Sequence, residues 1–161
     1  MIWVVATSKH GSTAEVADAL AEELRRAGHD VERKDADQVH GFVGADAVVL
    51  GSPIYGGRWL EAGRRLLSDQ AEALSARPVW LFSVGPLGDP PKPDEPEPQA
   101  LVQSATEIGA REHRVFSGRL DRSELGRGER LMVRAVHAPA GDFRDWEEIR
   151  VWARSIADAL G

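Results

Sequence analysis

The chain reads as an α/β protein, a doubly wound parallel sheet of about five strands with helices on both faces. Two observations predict it. Ile2 to Ala6, Ala47 to Leu50 and Val79 to Phe82 are continuous apolar runs rich in β-branched residues, the pattern of strands buried on both faces. The segments between them carry apolar residues at helical spacing. Parallel strands in turn require crossover connections, and these are right-handed.

Taken in order, the first strand, Ile2 to Ala6, leads into a helix whose Val16, Ala17, Leu20 and Leu24 share one face. Gly28 ends that helix, and a weaker strand follows over Val31 to Lys34. The third strand, Ala47 to Leu50, precedes a helical pattern carried by Leu60, Leu67, Ala71 and Leu74, with Trp59 opening the helix. The fourth strand is Val79 to Phe82, then comes a helical Leu101 to Ile108, and the fifth strand is His113 to Ser117. Ile149, Trp152, Ala153, Ile156, Ala157 and Leu160 form the stripe of a last helix, with Asp145 as its cap. Two segments interrupt the alternation. Asp89 to Pro98 is proline-rich and reads as a stiff extended loop, and Gly118 to Asp142 separates the fifth strand from the final helix.

A chain of 161 residues suits one domain, residues 1–161, with its own core. Apolar content of 42% and charged content of 29% are those of a globular protein. No apolar run approaches the roughly 20 residues of a membrane span, and the N-terminus lacks signal-peptide features, so a cytoplasmic location is expected. Zero cysteines exclude disulfides and thiolate chemistry, which leaves any redox reaction to a bound cofactor. A net charge of -6 argues against nucleic acid as a partner. Arg111, Arg114, Arg119, Arg122, Arg127, Arg130 and Arg134 nevertheless outnumber the acids among them, so this stretch is either a solvated basic face or a surface for something anionic.

Ligands of doubly wound sheets bind beyond the carboxyl ends of the strands, which singles out three loops. After the first strand come Thr7, Ser8, Lys9, His10, Gly11, Ser12 and Thr13, where hydroxyls, a glycine and the N–H groups opening a helix suit a phosphate. After the third come Gly51, Ser52, Pro53, Ile54, Tyr55, Gly56 and Gly57, with the one tyrosine of the chain beside two glycines that allow close backbone approach. After the fourth come Ser83, Val84, Gly85, Pro86, Leu87, Gly88 and Asp89, with no aromatic among them. Neither G-x-x-x-x-G-K-[ST] nor G-x-G-x-x-G follows the first strand, which argues against ATP and NAD. G-x-S-x-G, H-E-x-x-H and carboxylate clusters at metal spacing are missing too, so hydrolase and metalloenzyme readings fall away and no metal is expected. No side chain makes a strong general acid or base: His10 is a candidate phosphate donor, His137 lies near the variable segment, and His29, His40 and His113 read as surface or strand-end positions.

The first loop resembles the flavodoxin phosphate-loop signature, with a hydroxyl at Ser8, a small residue at Gly11, then Thr13, Ala17 and the aliphatic Leu20. Ala6 departs from it, since flavodoxins usually carry an aromatic there. The resemblance implies a flavodoxin-like fold with strand order 2-1-3-4-5 and flavin mononucleotide (FMN) as cofactor, a deazaflavin being compatible as well. It further implies a ring stacked on Tyr55, with Trp59 as rival, and a peptide near Gly56 able to reorient toward flavin N5. The third loop would complete the site, leaving one ring face open to a substrate.

The second half is similar to flavodoxin-fold protoporphyrinogen dehydrogenases and their flavodoxin-domain relatives. This rests on Ser83-Val84, on Ser117-Gly118-Arg119-Leu120, and on Glu129 to Arg134 ahead of Asp145-Trp146. That likeness implies an FMN-dependent oxidoreductase linked to a quinone or a porphyrinogen, with peripheral membrane contact through residues 118–137. Between Val136 and Trp146 the chain is shorter than in those enzymes. Two alternatives stand beside this reading: a flavodoxin-type electron carrier that serves a redox partner, and a flavodoxin-like binding module without cofactor.

Overall fold

The computed structural model describes residues 1–7, 11–55, 57–85, 99–120, 141–142 and 144–161, with backbone alone at 119–120 and 141–142. Strand β1 (Ile2–Ala6) runs into helix α1 (Ser12–Arg26), followed by β2 (Val31–Asp35) and a 3-10 turn at Ala36–Gln38. Strand β3 (Ala47–Tyr55) turns back through β4 (Arg58–Trp59) into α2 (Glu61–Asp69) and α3 (Ala71–Ser75). Then come β5 (Val79–Val84), α4 (Gln99–Glu107), β6 (Glu112–Phe116), the short β7 (Arg119–Leu120) and β8 (Gly141–Asp142), and α5 (Trp146–Leu160).

The main sheet runs β2-β1-β3-β5-β6 with every neighbour parallel, and β4 adds an antiparallel return beside β3. With β5 and β6 as the fourth and fifth parallel strands, this is the doubly wound order 2-1-3-4-5. Alternate strand residues feed two separate cores, because successive side chains point to opposite faces. On one face Val4, Val49, Phe82 and Phe116 pack beneath α1 and α5 through Leu20, Trp152 and Ile156. On the other, Val5, Leu50 and Leu81 meet Leu66, Leu67, Leu74 and Leu101 from α2, α3 and α4.

Local chemistry explains where the helices begin and end. Beyond α1, Gly28 N–H donates to Arg25 O at 2.9 Å and His29 N–H to Leu24 O at 3.2 Å, the paired bonds of a Schellman motif. Asp145 caps α5, its Oδ1 accepting from Glu148 N–H at 3.1 Å. The helical pattern from Leu60 to Leu74 is two helices and not one: the backbone breaks at Gln70 (φ −110°, ψ 21°), which turns Leu74 into the core alongside Leu66 and Leu67. Under α5 the Trp152 ring meets Phe116 edge-on at 5.4 Å and Phe82 at 6.2 Å, while its indole N–H donates to Glu112 Oε2 at 2.9 Å. Among the described residues no helix is long and apolar enough to cross a membrane.

Candidate cofactor-binding site

Strand order reverses at β1, because the chain moves to β2 on one side and to β3 on the other; the crevice therefore opens beyond Ala6 and Gly51, which are Cα partners. Thr7 N–H donates to Gly51 O at 3.0 Å, carrying the β1–β3 pairing one residue into the first loop. Ser8, Lys9 and His10 lie outside the described residues. Gly11 then caps α1 with φ +82°, a left-handed backbone natural to glycine, and among the described residues a Cβ built on it would meet nothing within 4 Å. The first intrahelical bond is Glu15 N–H to Gly11 O at 3.0 Å, so the N–H groups of residues 12–14 lie outside the helix's own ladder. Thr13 is buried in this first turn and Ser12 is half-buried.

The second loop differs from its sequence reading. Strand β3 does not stop at Leu50, because pairing with β5 continues through Ser52↔Ser83 and Pro53↔Val84. Gly57 takes φ +74°, and the chain returns with Ile54↔Trp59 and Tyr55↔Arg58 paired antiparallel. Gly56 is outside the described residues, and Tyr55 is half-buried at the strand's end. Trp59 belongs to this return strand and not to the start of a helix. It is 3% exposed, and its Nε1–H donates to Ser83 Oγ at 2.8 Å.

Ser52 and Ser83 are fully buried. Ser52 Oγ accepts from Leu60 N–H at 3.0 Å and donates to Pro53 O at 2.9 Å. Ser83 and Val84 are still strand, and the third loop begins only at Gly85, whose N–H donates to Phe116 O at 2.7 Å. Pro86, Leu87, Gly88 and Asp89 lie outside the described residues, as does the proline-rich stretch that follows. His113, read from sequence as a strand-end or surface residue, is half-buried on β6, with Nε2 2.7 Å from Ser83 Oγ. Its place two residues before Val115 on the same face of a strand was the available signal.

The described arginines of the basic stretch are occupied within the chain. Arg114 Nη2 pairs with Glu112 Oε1 at 2.6 Å, and the Arg111 guanidinium lies 5.2 Å from the centre of the Trp80 ring. Burial pushes the Glu112 carboxyl up, but hydrogen bonds from Arg114 and Trp152 and the Arg114 charge outweigh it and hold the group below its ordinary value. Of Arg119 only the backbone is described, and Arg122, Arg127, Arg130 and Arg134 lie outside, as does most of 118–137. Among the described residues no group of His, Asp or Glu side chains is placed to hold a metal ion.

A parallel sheet with a crevice at its switch point, entered by a glycine-capped helix and flanked by two more strand ends, defines a flavodoxin-like α/β protein. The chain belongs to the flavodoxin domain family, whose model matches residues 3–146. Solved structures of similar fold include a flavodoxin from the domain Archaea (TM-score 0.64, 15% identity, 99% of each chain covered). A Streptococcus pneumoniae flavodoxin is also similar (TM-score 0.62, 18% identity, 98% of each chain). Rubredoxin oxygen:oxidoreductase from Desulfovibrio gigas matches over 99% of this chain with TM-score 0.67 and 17% identity, and there the chain spans 35% of the longer protein. At these identities the likeness speaks to fold alone. No curated protein matches the chain by sequence.

Proposed function

We propose that this chain binds FMN at the β1–β3 crevice and works as an oxidoreductase, as one domain over residues 1–161 in the cytoplasm. The observation that carries this reading is the entry to α1. Gly11 combines a left-handed backbone with a place at the head of a helix whose own ladder begins only with Glu15 N–H. That is a fitting seat for a dianionic phosphate, with the helix dipole adding to it. Thr7 to Thr13 would hold the phosphate; Tyr55, Gly56 and Gly57 would flank one side of the ring system, and Gly85 to Asp89 the other. The bound flavin would supply the electron chemistry, and the chain's part is to seat and orient it and to limit water around it.

The finer form of the proposal is turnover of a quinone or a porphyrinogen. It rests on the sequence likeness of 117–120, 129–134 and 145–146 to flavodoxin-fold protoporphyrinogen dehydrogenases, with membrane contact through 118–137. A second reading, an electron carrier serving a redox partner, is favoured by one observation. Flavodoxins stand among the solved structures of similar fold.

Purified protein titrated with FMN and with riboflavin tests the cofactor. Saturable FMN binding with a flavin absorbance spectrum, and much weaker riboflavin binding, is the expected result, since riboflavin lacks the phosphate. A colourless protein that takes up neither sinks both redox readings and leaves a binding module. Quinone or porphyrinogen reduction kinetics without a second protein then separate enzyme from carrier.

A further inference from the structure

Ser52 and Ser83 are Cα partners on adjacent strands, and both are fully buried. They stand on the same face as Leu50 and Leu81, two residues earlier on each strand, above the α2–α4 core. Each hydroxyl grips one of two consecutive residues on the way back from the hairpin. Ser83 Oγ accepts the Trp59 indole N–H at 2.8 Å, and Ser52 Oγ accepts the Leu60 backbone N–H at 3.0 Å. Because an indole N–H can only donate, Ser83 must accept there, which keeps its own proton for His113 Nε2, 2.7 Å away, whenever that nitrogen is unprotonated. Ser52 sends its proton to Pro53 O.

This arrangement answers a mechanical need. Strand β4 is two residues long and pairs only with β3 among the described residues. A hairpin so short does not hold its own position in water, so tertiary contacts must set it. Trp59 fills the buried end of the return, and its Cε3 lies 3.0 Å from the point where a Cβ on Gly63 of α2 would stand. The Trp59–Ser83 bond is buried and the Leu60–Ser52 bond partly so, and losing the first leaves a buried donor without its acceptor.

We propose that Ser52, Ser83 and Trp59 form a clamp that sets the hairpin tip, Tyr55 and Gly57, before the cofactor arrives. The two serines are then positioning residues that act on flavin through the hairpin and do not touch it. This rests on the FMN reading of the crevice. A clamped tip keeps the binding-competent state dominant, and releasing it lowers apparent affinity by the fraction of molecules in which the tip has moved.

The test uses the full chain with Ser83→Ala, Trp59→Phe and the double variant, and Ile156→Val in the opposite core as a control. Each clamp variant is expected to bind FMN about tenfold more weakly, from a lost buried hydrogen bond. Each should also shift the midpoint potential and the visible-region circular dichroism of bound FMN. The double variant should match Ser83→Ala, because once the Ser83 hydroxyl is gone the Trp59 indole N–H has no bond to it left to lose. Ile156→Val should lower Tm and leave affinity, potential and dichroism at wild-type values. Unchanged potential and dichroism in both single variants overturn the clamp, and so does an affinity loss that merely follows Tm and appears equally in Ile156→Val. Should Ser83→Ala fail to fold, Trp59→Phe alone carries the same readouts. A wild-type chain that binds no FMN overturns the cofactor reading, and the clamp's proposed role with it; FMN-binding wild type with indifferent variants overturns the clamp only.

Discussion

Gly51 of β3 lies in register with Phe82 of β5, and the Phe82 ring fills the space a Cβ on residue 51 would need, its Cζ 2.1 Å from that point. The ring can lie flat over the strand only because the strand has no side chain there. Gly51→Ala is therefore expected to destabilise by about 1–3 kcal/mol through overpacking. Gly51→Ala with Phe82→Leu should recover part of that loss. Urea denaturation of the two singles and the double gives the coupling, and strictly additive losses would contradict the contact.

Ser12 separates helix stability from phosphate binding. It opens α1, so an acidic residue there meets the positive end of the helix dipole and is worth about 0.3–1 kcal/mol to stability. The same charge repels a phosphate seated in the loop. Ser12→Asp should hold or raise Tm while weakening FMN binding by at least about tenfold at low salt, part of which returns as salt screens the charge. FMN affinity unchanged in Ser12→Asp would place the phosphate elsewhere.

Glu112 links stability to acid pH. A carboxyl held below its unfolded value contributes stability that is complete above the ordinary glutamate value of 4.5 and is lost as pH falls through the lowered folded value. The Glu112 and Arg114 side chains are 37% and 40% exposed, so solvent screening limits the effect to roughly 0.5–1 kcal/mol. Denaturation of wild type and Glu112→Gln at pH 7 and again below pH ~4 checks it: the gap between them should narrow in acid, because wild type alone loses this contribution.

Trp152 joins the two sides of its core, with Phe82 and Phe116 below and α5 above. Trp152→Ala should cost about 3–5 kcal/mol, a large part of the total stability of a domain this size. Trp152→Phe keeps most of the packing and removes the indole N–H to Glu112, so its smaller loss should come with a reduced pH dependence below ~4.5. Denaturant midpoints across pH distinguish the two variants.

Much of the architecture was legible because burial leaves a local trace. Ile2 to Ala6 and Val79 to Phe82 are apolar on both faces, since helices cover both sides of this sheet. The stripes of α1 and α5 and the Asp145 cap are likewise written in short-range spacing. The crevice followed from strand ends alone, and Gly11 at the head of α1 is where the loop reading put it.

What failed to show locally was decided by partners distant in the chain. Ser52 and Pro53 look like a turn, yet they are strand because β5 runs alongside and continues to pair with them. Trp59 looks like a helix start and is a return strand, because Ser83, 24 positions on, receives its indole N–H. His113 looked peripheral until β6 settled next to β5. By itself the sequence determined the parallel sheet, its helices and the glycine at the entry to α1, since periodicity reports burial and residue type reports capping. Only the tertiary structure decided that Ser52 and Ser83 face inward and hold Trp59 and Leu60, because strand register assigns hydrogen-bond partners and no spacing along one strand encodes its neighbour's register.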